Sequence, residues 1–148
     1  MFFCGIVIEF DSAHRLYRYS GKCEKLHGHR YKVEFEFESS TGLDDDGMVI
    51  DFTDIKPLLK KWIDVNLDHN VILGIEDKKL GEAIEDTTGY KIYWMQDNPT
   101  AENIAKLLID KANELLQNNH QNVECVRVKV FETPNGWGEV RISSNKNH

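Results

Sequence analysis

A chain of 148 residues can bury one sizeable core, and its ordinary mix of apolar and charged residues predicts a single domain over 1–148. Its 25 acidic residues against 18 basic ones leave a formal net charge of −7, which excludes the electrostatic footprint of a nucleic-acid binder and favours small polar substrates or protein partners. No stretch approaches membrane-spanning length, residues 1–10 lack a basic leader and a small-residue cleavage site, and Cys4, Cys23 and Cys125 read as reduced thiols, so the expected location is the cytoplasm.

Residues 3–10 predict a first strand and 29–39 a second, in which Tyr31, Val33, Phe35 and Phe37 alternate with Lys32, Glu34, Glu36 and Glu38. A loop holding His14 and Cys23 joins them. Residues 41–47 form an acidic turn, and Met48-Val49-Ile50 a short extended piece. A helix starting near Asp51 or Thr53 carries the stripe Ile55, Leu58, Leu59, Trp62 and Ile63, with Pro57 tolerable only near its first turn. Leu67-Asp68-His69-Asn70 ends it.

Residues 74–89 suggest a short irregular helix between loops, and 90–95 a strand. Thr100 is the N-cap of a second main helix whose buried face is Ile104, Leu107, Leu108, Leu115 and Leu116, and which breaks at residues 118–122. Val126, Val128 and Val130 then mark a strand whose parity puts Glu132 on the valine face. An inward carboxylate is costly unless it meets a cation, hydrogen-bond donors or a ligand that presents them. Thr133-Pro134-Asn135-Gly136 is a turn, and Val140 with Ile142 a last edge strand before a polar tail.

The chemistry concentrates in Cys23-Glu24-Lys25-Leu26-His27-Gly28-His29. Two imidazoles two positions apart on a strand point the same way, so His27 and His29 can grip one ion from the apolar side, with Gly28 letting the backbone come close. If the first two strands pair as a hairpin, His14 meets them. Three neutral imidazoles with an open fourth position describe a catalytic zinc site; recruiting Cys23 as fourth ligand would instead close a structural one. A thiolate beside such a site is a usable base or nucleophile. Asp68 and His69 are either a proton-carrying pair, joined through a turn, or a helix-terminal cap and a dipole partner.

Taken in order, Phe10 to Leu16 with His14, the Cys-x-x-x-His-Gly-His run, Met48-Val49-Ile50-Asp51-Phe52, Leu67-Asp68-His69, Asn98-Pro99-Thr100-x-Glu102-Asn103 and Phe131-Glu132-Thr133-Pro134 resemble the 6-pyruvoyl-tetrahydropterin synthase family. The resemblance covers nearly the whole chain, with residues 74–92 the main unmatched region. It implies an α+β tunnelling fold: antiparallel strands with two main helices on one face, subunits closing a barrel as trimers, and trimers stacking into a homohexamer. It also implies that His14, His27 and His29 hold Zn2+, that Cys23, Asp68 and His69 transfer protons from neighbouring subunits, and that Glu132, assisted around Thr100, anchors a pterin.

The implied substrate is 7,8-dihydroneopterin triphosphate. Three residues between the cysteine and His-Gly-His resemble the 6-carboxy-5,6,7,8-tetrahydropterin branch, which releases acetaldehyde and triphosphate and feeds 7-deazapurine (queuosine or archaeosine) synthesis. The 6-pyruvoyl branch, which only eliminates triphosphate, and a non-catalytic protein with a closed zinc site are the alternatives. A folate-linked branch has glutamate where this chain has Cys23.

Overall fold

The computed structural model describes residues 1–143, so the end of the polar tail lies outside the described residues. Two long strands dominate, β1 (Phe3–His14) and β2 (His27–Ser39), paired antiparallel from Phe3↔Glu38 to His14↔His27. His14 therefore ends a strand rather than sitting in the connecting loop, which is itself tightened by a 3-10 turn at Lys22–Glu24. Ile6, Ile8, Phe10, Ser12 and His14 of β1 are buried on one face together with Tyr31, Val33, Phe35 and Phe37 of β2.

Helix α1 (Phe52–Asn66) follows, capped by the Asp51 carboxylate, which accepts from the Thr53 amide at 2.9 Å. Pro57 falls in its second turn, later than expected, and denies the Thr53 carbonyl its intrahelical donor. After α1 come β3 (Asn70–Gly74), α2 (Lys78–Thr88), β4 (Tyr93–Met95), α3 (Ala101–Asn119), β5 (Val123–Thr133) and β6 (Gly136–Arg141). Residues 48–50 form a bend, not an extended piece, and they tuck Val49 and Ile50 into the core.

The sheet order is β4-β3-β1-β2-β5-β6, and it is mixed rather than antiparallel throughout: β1 with β3 and β3 with β4 run parallel. The β3–β4 pair is parallel because α2 is the crossover between them, and β3 lies parallel to β1 because the chain, after α1, runs opposite to β2 and docks on the far side of β1. The region expected to be irregular is thus a β-α-β unit whose helix ends on Gly89 with φ 76°. Gly81 lets α2 press on β4, because a Cβ there would lie 2.0 Å from the Trp94 ring.

Helices α1 and α3 cover the buried face with Ile55, Leu59, Ile63, Ile104, Leu108 and Leu116, as expected. A bulge opposite Glu36 and Phe37 puts Cys125 in the core and takes Val126 off the expected valine face, to line a cleft with Phe3, Glu36 and Arg127; Asn113 of α3 holds Cys125 by accepting from its amide at 2.8 Å and donating to its carbonyl at 3.0 Å. Beyond the bulge Val128 and Val130 stay buried, and Glu132 keeps their parity. No helix among the described residues is long and apolar enough to cross a membrane.

Candidate active site

The ends of β1 and β2 place His14, His27 and His29 together, and one nitrogen from each lies within 4.8 Å of the others. Backbone carbonyls fix two of the tautomers. Pro99, just ahead of α3, accepts from His14 Nδ1 at 2.7 Å, and Lys25 accepts from His27 Nδ1 at 2.6 Å. Each ring must carry its proton on Nδ1, which leaves the lone pair on Nε2.

Those two Nε2 atoms face each other at 3.1 Å. Two lone pairs repel at that distance unless a cation lies between them, and tetrahedral ligands about 2 Å from a zinc ion sit roughly 3.3 Å apart. His29 Nε2 is buried and has no hydrogen-bond partner among the described residues. The donor set therefore fits a divalent metal with outer-shell carbonyls already in place. Burial, with smaller repulsions from His27 and His29, pushes His14 down to about 4 even though Pro99 opposes it; burial also lowers His29, against Glu132. Both are neutral, metal-ready ligands at neutral pH.

Glu132 arrives from β5 where its parity placed it, with Oε1 4.0 Å from His14 Nε2 and Oε2 3.8 Å from His29 Nε2. Tyr31 stacks on Phe10 and meets the rings of His14 and His29 edge to face; burial first, then Glu132, raises its phenol far above the usual range. Cys23 is half-buried in the 3-10 turn and is not part of the clustered ligand group among the described residues. Three imidazoles without the thiol make an open site.

Asp68 and His69 do form a pair, through a turn: His69 takes φ 56°, which brings its Nδ1 to 2.9 Å from the Asp68 carboxylate. The same carboxylate accepts from the Asp11 amide at 3.0 Å. Burial would raise Asp68, but the Asp11 amide and His69 outweigh it and hold it below the usual carboxylate range. His69 is 78% exposed and borders a cleft of about 460 Å³ shared with Asp11, Ala13 and Gly28. Ser12 and His29 line the same cleft, while the acid that groups with the pair, Asp11, has the opposite strand parity to His14.

Thr100 is the cap of α3, its Oγ1 accepting from the Asn103 amide at 3.1 Å and its carbonyl from the Ile104 amide at 2.9 Å. Its hydroxyl hydrogen is what remains for a ligand. Sequence reasoning missed Asp11, which clusters with Asp68 and His69, and the carbonyls of Lys25 and Pro99. Strand parity could have found Asp11; nothing in a side-chain pattern marks a carbonyl.

Comparison with known proteins gives the same direction. The model of the family described as 6-pyruvoyl tetrahydropterin synthase matches residues 5–143. A protein of Rickettsia conorii called 6-carboxy-5,6,7,8-tetrahydropterin synthase is 49% identical over 139 residues, 93% of this chain and 98% of that one. In fold, the chain is similar to an uncharacterised protein of Wolinella succinogenes (TM-score 0.76, 24% identity, 97% and 100% of the two chains). It is also similar to 6-pyruvoyl tetrahydropterin synthase of Caenorhabditis elegans (TM-score 0.68, 23% identity, 96% of each). With a family match over nearly the whole length and a relative at this identity, the chain belongs to the 6-pyruvoyl tetrahydropterin synthase family.

Proposed function

We propose that this chain is a cytoplasmic 6-carboxy-5,6,7,8-tetrahydropterin synthase that turns 7,8-dihydroneopterin triphosphate and water into 6-carboxytetrahydropterin, acetaldehyde and triphosphate for 7-deazapurine synthesis. The observation that carries the reading is the convergence of the His14, His27 and His29 Nε2 atoms, two of them set by carbonyls, beside the Glu132 carboxylate. Zn2+ bound by these histidines would supply Lewis-acid polarisation of the substrate's side-chain oxygens, making neighbouring carbon-bound protons removable.

Glu132 orients the pterin, since one carboxylate accepts from an amine and a ring N–H side by side, and the Thr100 hydroxyl donates at the same edge. The Cys23 thiolate takes a carbon-bound proton, and His69, held by Asp68, delivers or relays one. The grouping of Asp68 and His69 with Asp11, apart from the three clustered histidines, supports an assembly in which His69 of one subunit serves the cluster of another. A homohexamer of two trimers, each closing a barrel, supplies such neighbours.

The test is to give the zinc-loaded protein 7,8-dihydroneopterin triphosphate and assay acetaldehyde together with the pterin. Both products are expected. A pyruvoyl pterin without acetaldehyde would overturn the carboxy reading in favour of triphosphate elimination alone.

A further inference from the structure

We propose that the loop 15–26, which joins the two strands of the histidine cluster, is a polyphosphate-binding site whose cations are Arg18, Lys22 and Lys25. The proposal rests on the pterin triphosphate reading above and deepens it by assigning the substrate's anionic end.

Charge is the first observation. Within these twelve residues Arg15, Arg18, Lys22 and Lys25 face a single acid, Glu24, although the whole chain carries −7. A polyanion approaching an acidic protein needs such a local reversal of sign. The loop springs from the strand ends that bear His14 and His27, and the Lys25 carbonyl itself holds His27 Nδ1 at 2.6 Å. Cys23 lies between Lys22 and Lys25.

Pairing is the second. Arg15 is spoken for: its Nε donates to Asp77 Oδ2 at 2.6 Å, and its Nη2 to Oδ1 at 2.5 Å, on an aspartate only 2% exposed. Arg18, Lys22 and Lys25 form no ion pair or side-chain hydrogen bond among the described residues. Like charges this close in sequence repel, and a chain of phosphates relieves that repulsion where a neutral ligand does not.

The loop is also built rather than slack. The Tyr17 amide donates to Asn98 Oδ1 at 2.9 Å, Asn98 Nδ2 donates to the Tyr17 carbonyl at 3.1 Å, and the Leu16 amide donates to the Cys23 carbonyl at 2.8 Å. The Arg15 and Arg18 guanidiniums lie 5.8 and 5.2 Å from the Tyr17 ring. Arg18 takes φ 61°, a conformation that non-glycine residues seldom adopt, and the stack on Tyr17 accompanies it. A nucleic acid would meet the acidic remainder of the surface, so the ligand is a small molecule's polyphosphate.

Calorimetric titration of the zinc-loaded protein and of the double variant R18Q/K22Q, with inorganic triphosphate and separately with unphosphorylated 7,8-dihydroneopterin, decides the matter. The variant should bind triphosphate about tenfold more weakly, the product of two exposed ion pairs each worth a factor of a few, and dihydroneopterin within about twofold of the parent. Unchanged triphosphate affinity, or equal loss for both ligands, overturns the proposal. If the parent binds triphosphate but not dihydroneopterin, the pterin reading fails and the loop site stands; the reverse result sinks the loop site alone.

Discussion

His14 is a buried residue that the proposed site uses as a metal ligand, and its burial ties stability to pH. It is 1% exposed, and its folded-state value near 4 lies below the ordinary 6.5 because burial disfavours the charged ring. A histidine depressed in the folded state takes up its proton in the unfolded chain first, so metal-free protein keeps full stability above 6.5 and loses it as pH falls from 6.5 towards 4. The loss should reach about 3 kcal/mol from this group, read as a fall in denaturation midpoint, and His14→Gln should flatten that part of the profile. Cys23 makes a different prediction. Because it lies outside the ligand cluster, Cys23→Ala should retain its zinc by metal analysis while kcat falls by about a hundredfold or more; loss of metal would instead favour a closed site with the thiolate as a ligand.

At the scale of elements, the site depends on pieces that meet its backbone rather than its side chains. The first residues of α3 pack on β6 so closely that a Cβ on Gly138 would lie 2.7 Å from the Glu102 amide nitrogen and 2.9 Å from the Ala101 carbonyl carbon. Neither backbone atom can turn aside. Gly138→Ala should therefore cost about 2 kcal/mol in chemical denaturation and weaken zinc binding as well, because Pro99, whose carbonyl holds His14, precedes that helix. The β3–α2–β4 unit acts through Asp77, which neutralises Arg15 beside His14. Removing the buried carboxylate in Asp77→Ala leaves a half-buried guanidinium unpaired, and a loss of roughly 3 kcal/mol is expected.

For the whole molecule, Asp68 and His69 group with Asp11 and not with the three histidines, so under the proposed mechanism activity belongs to an assembly. Two inactive variants, His27→Ala and His69→Ala, should regain activity when refolded together, because a mixed oligomer contains junctions where one subunit brings an intact cluster and its neighbour an intact His69. Absence of recovery in a mixture shown to be mixed by mass spectrometry would refute shared sites. The outward face of β1 leaves Phe3 and Val7 exposed, with Phe2 just ahead of the strand, an apolar row of the kind that subunit contacts cover.

Much of this was legible in the sequence because strand parity is a local rule. The alternation from Tyr31 to Phe37 placed His27 and His29 on the inner face, the hairpin brought His14 to them, and the valine row aimed Glu132 inward; the Thr100 cap was equally local. The parallel strands were not legible, since Val71-Ile72-Leu73 is a continuous apolar run without alternation, and its place beside β1 rather than β2 is set by how the chain packs after α1. Nor were the bulge at Val126, the turn that folds His69 back on Asp68, or the Lys25 and Pro99 carbonyls at the cluster. Residue type and spacing determine which groups can do chemistry and which way each points from its own strand. Which groups meet across 85 residues, as His14 and Pro99 do, is decided by packing, because only the assembled sheet and helices supply the partner.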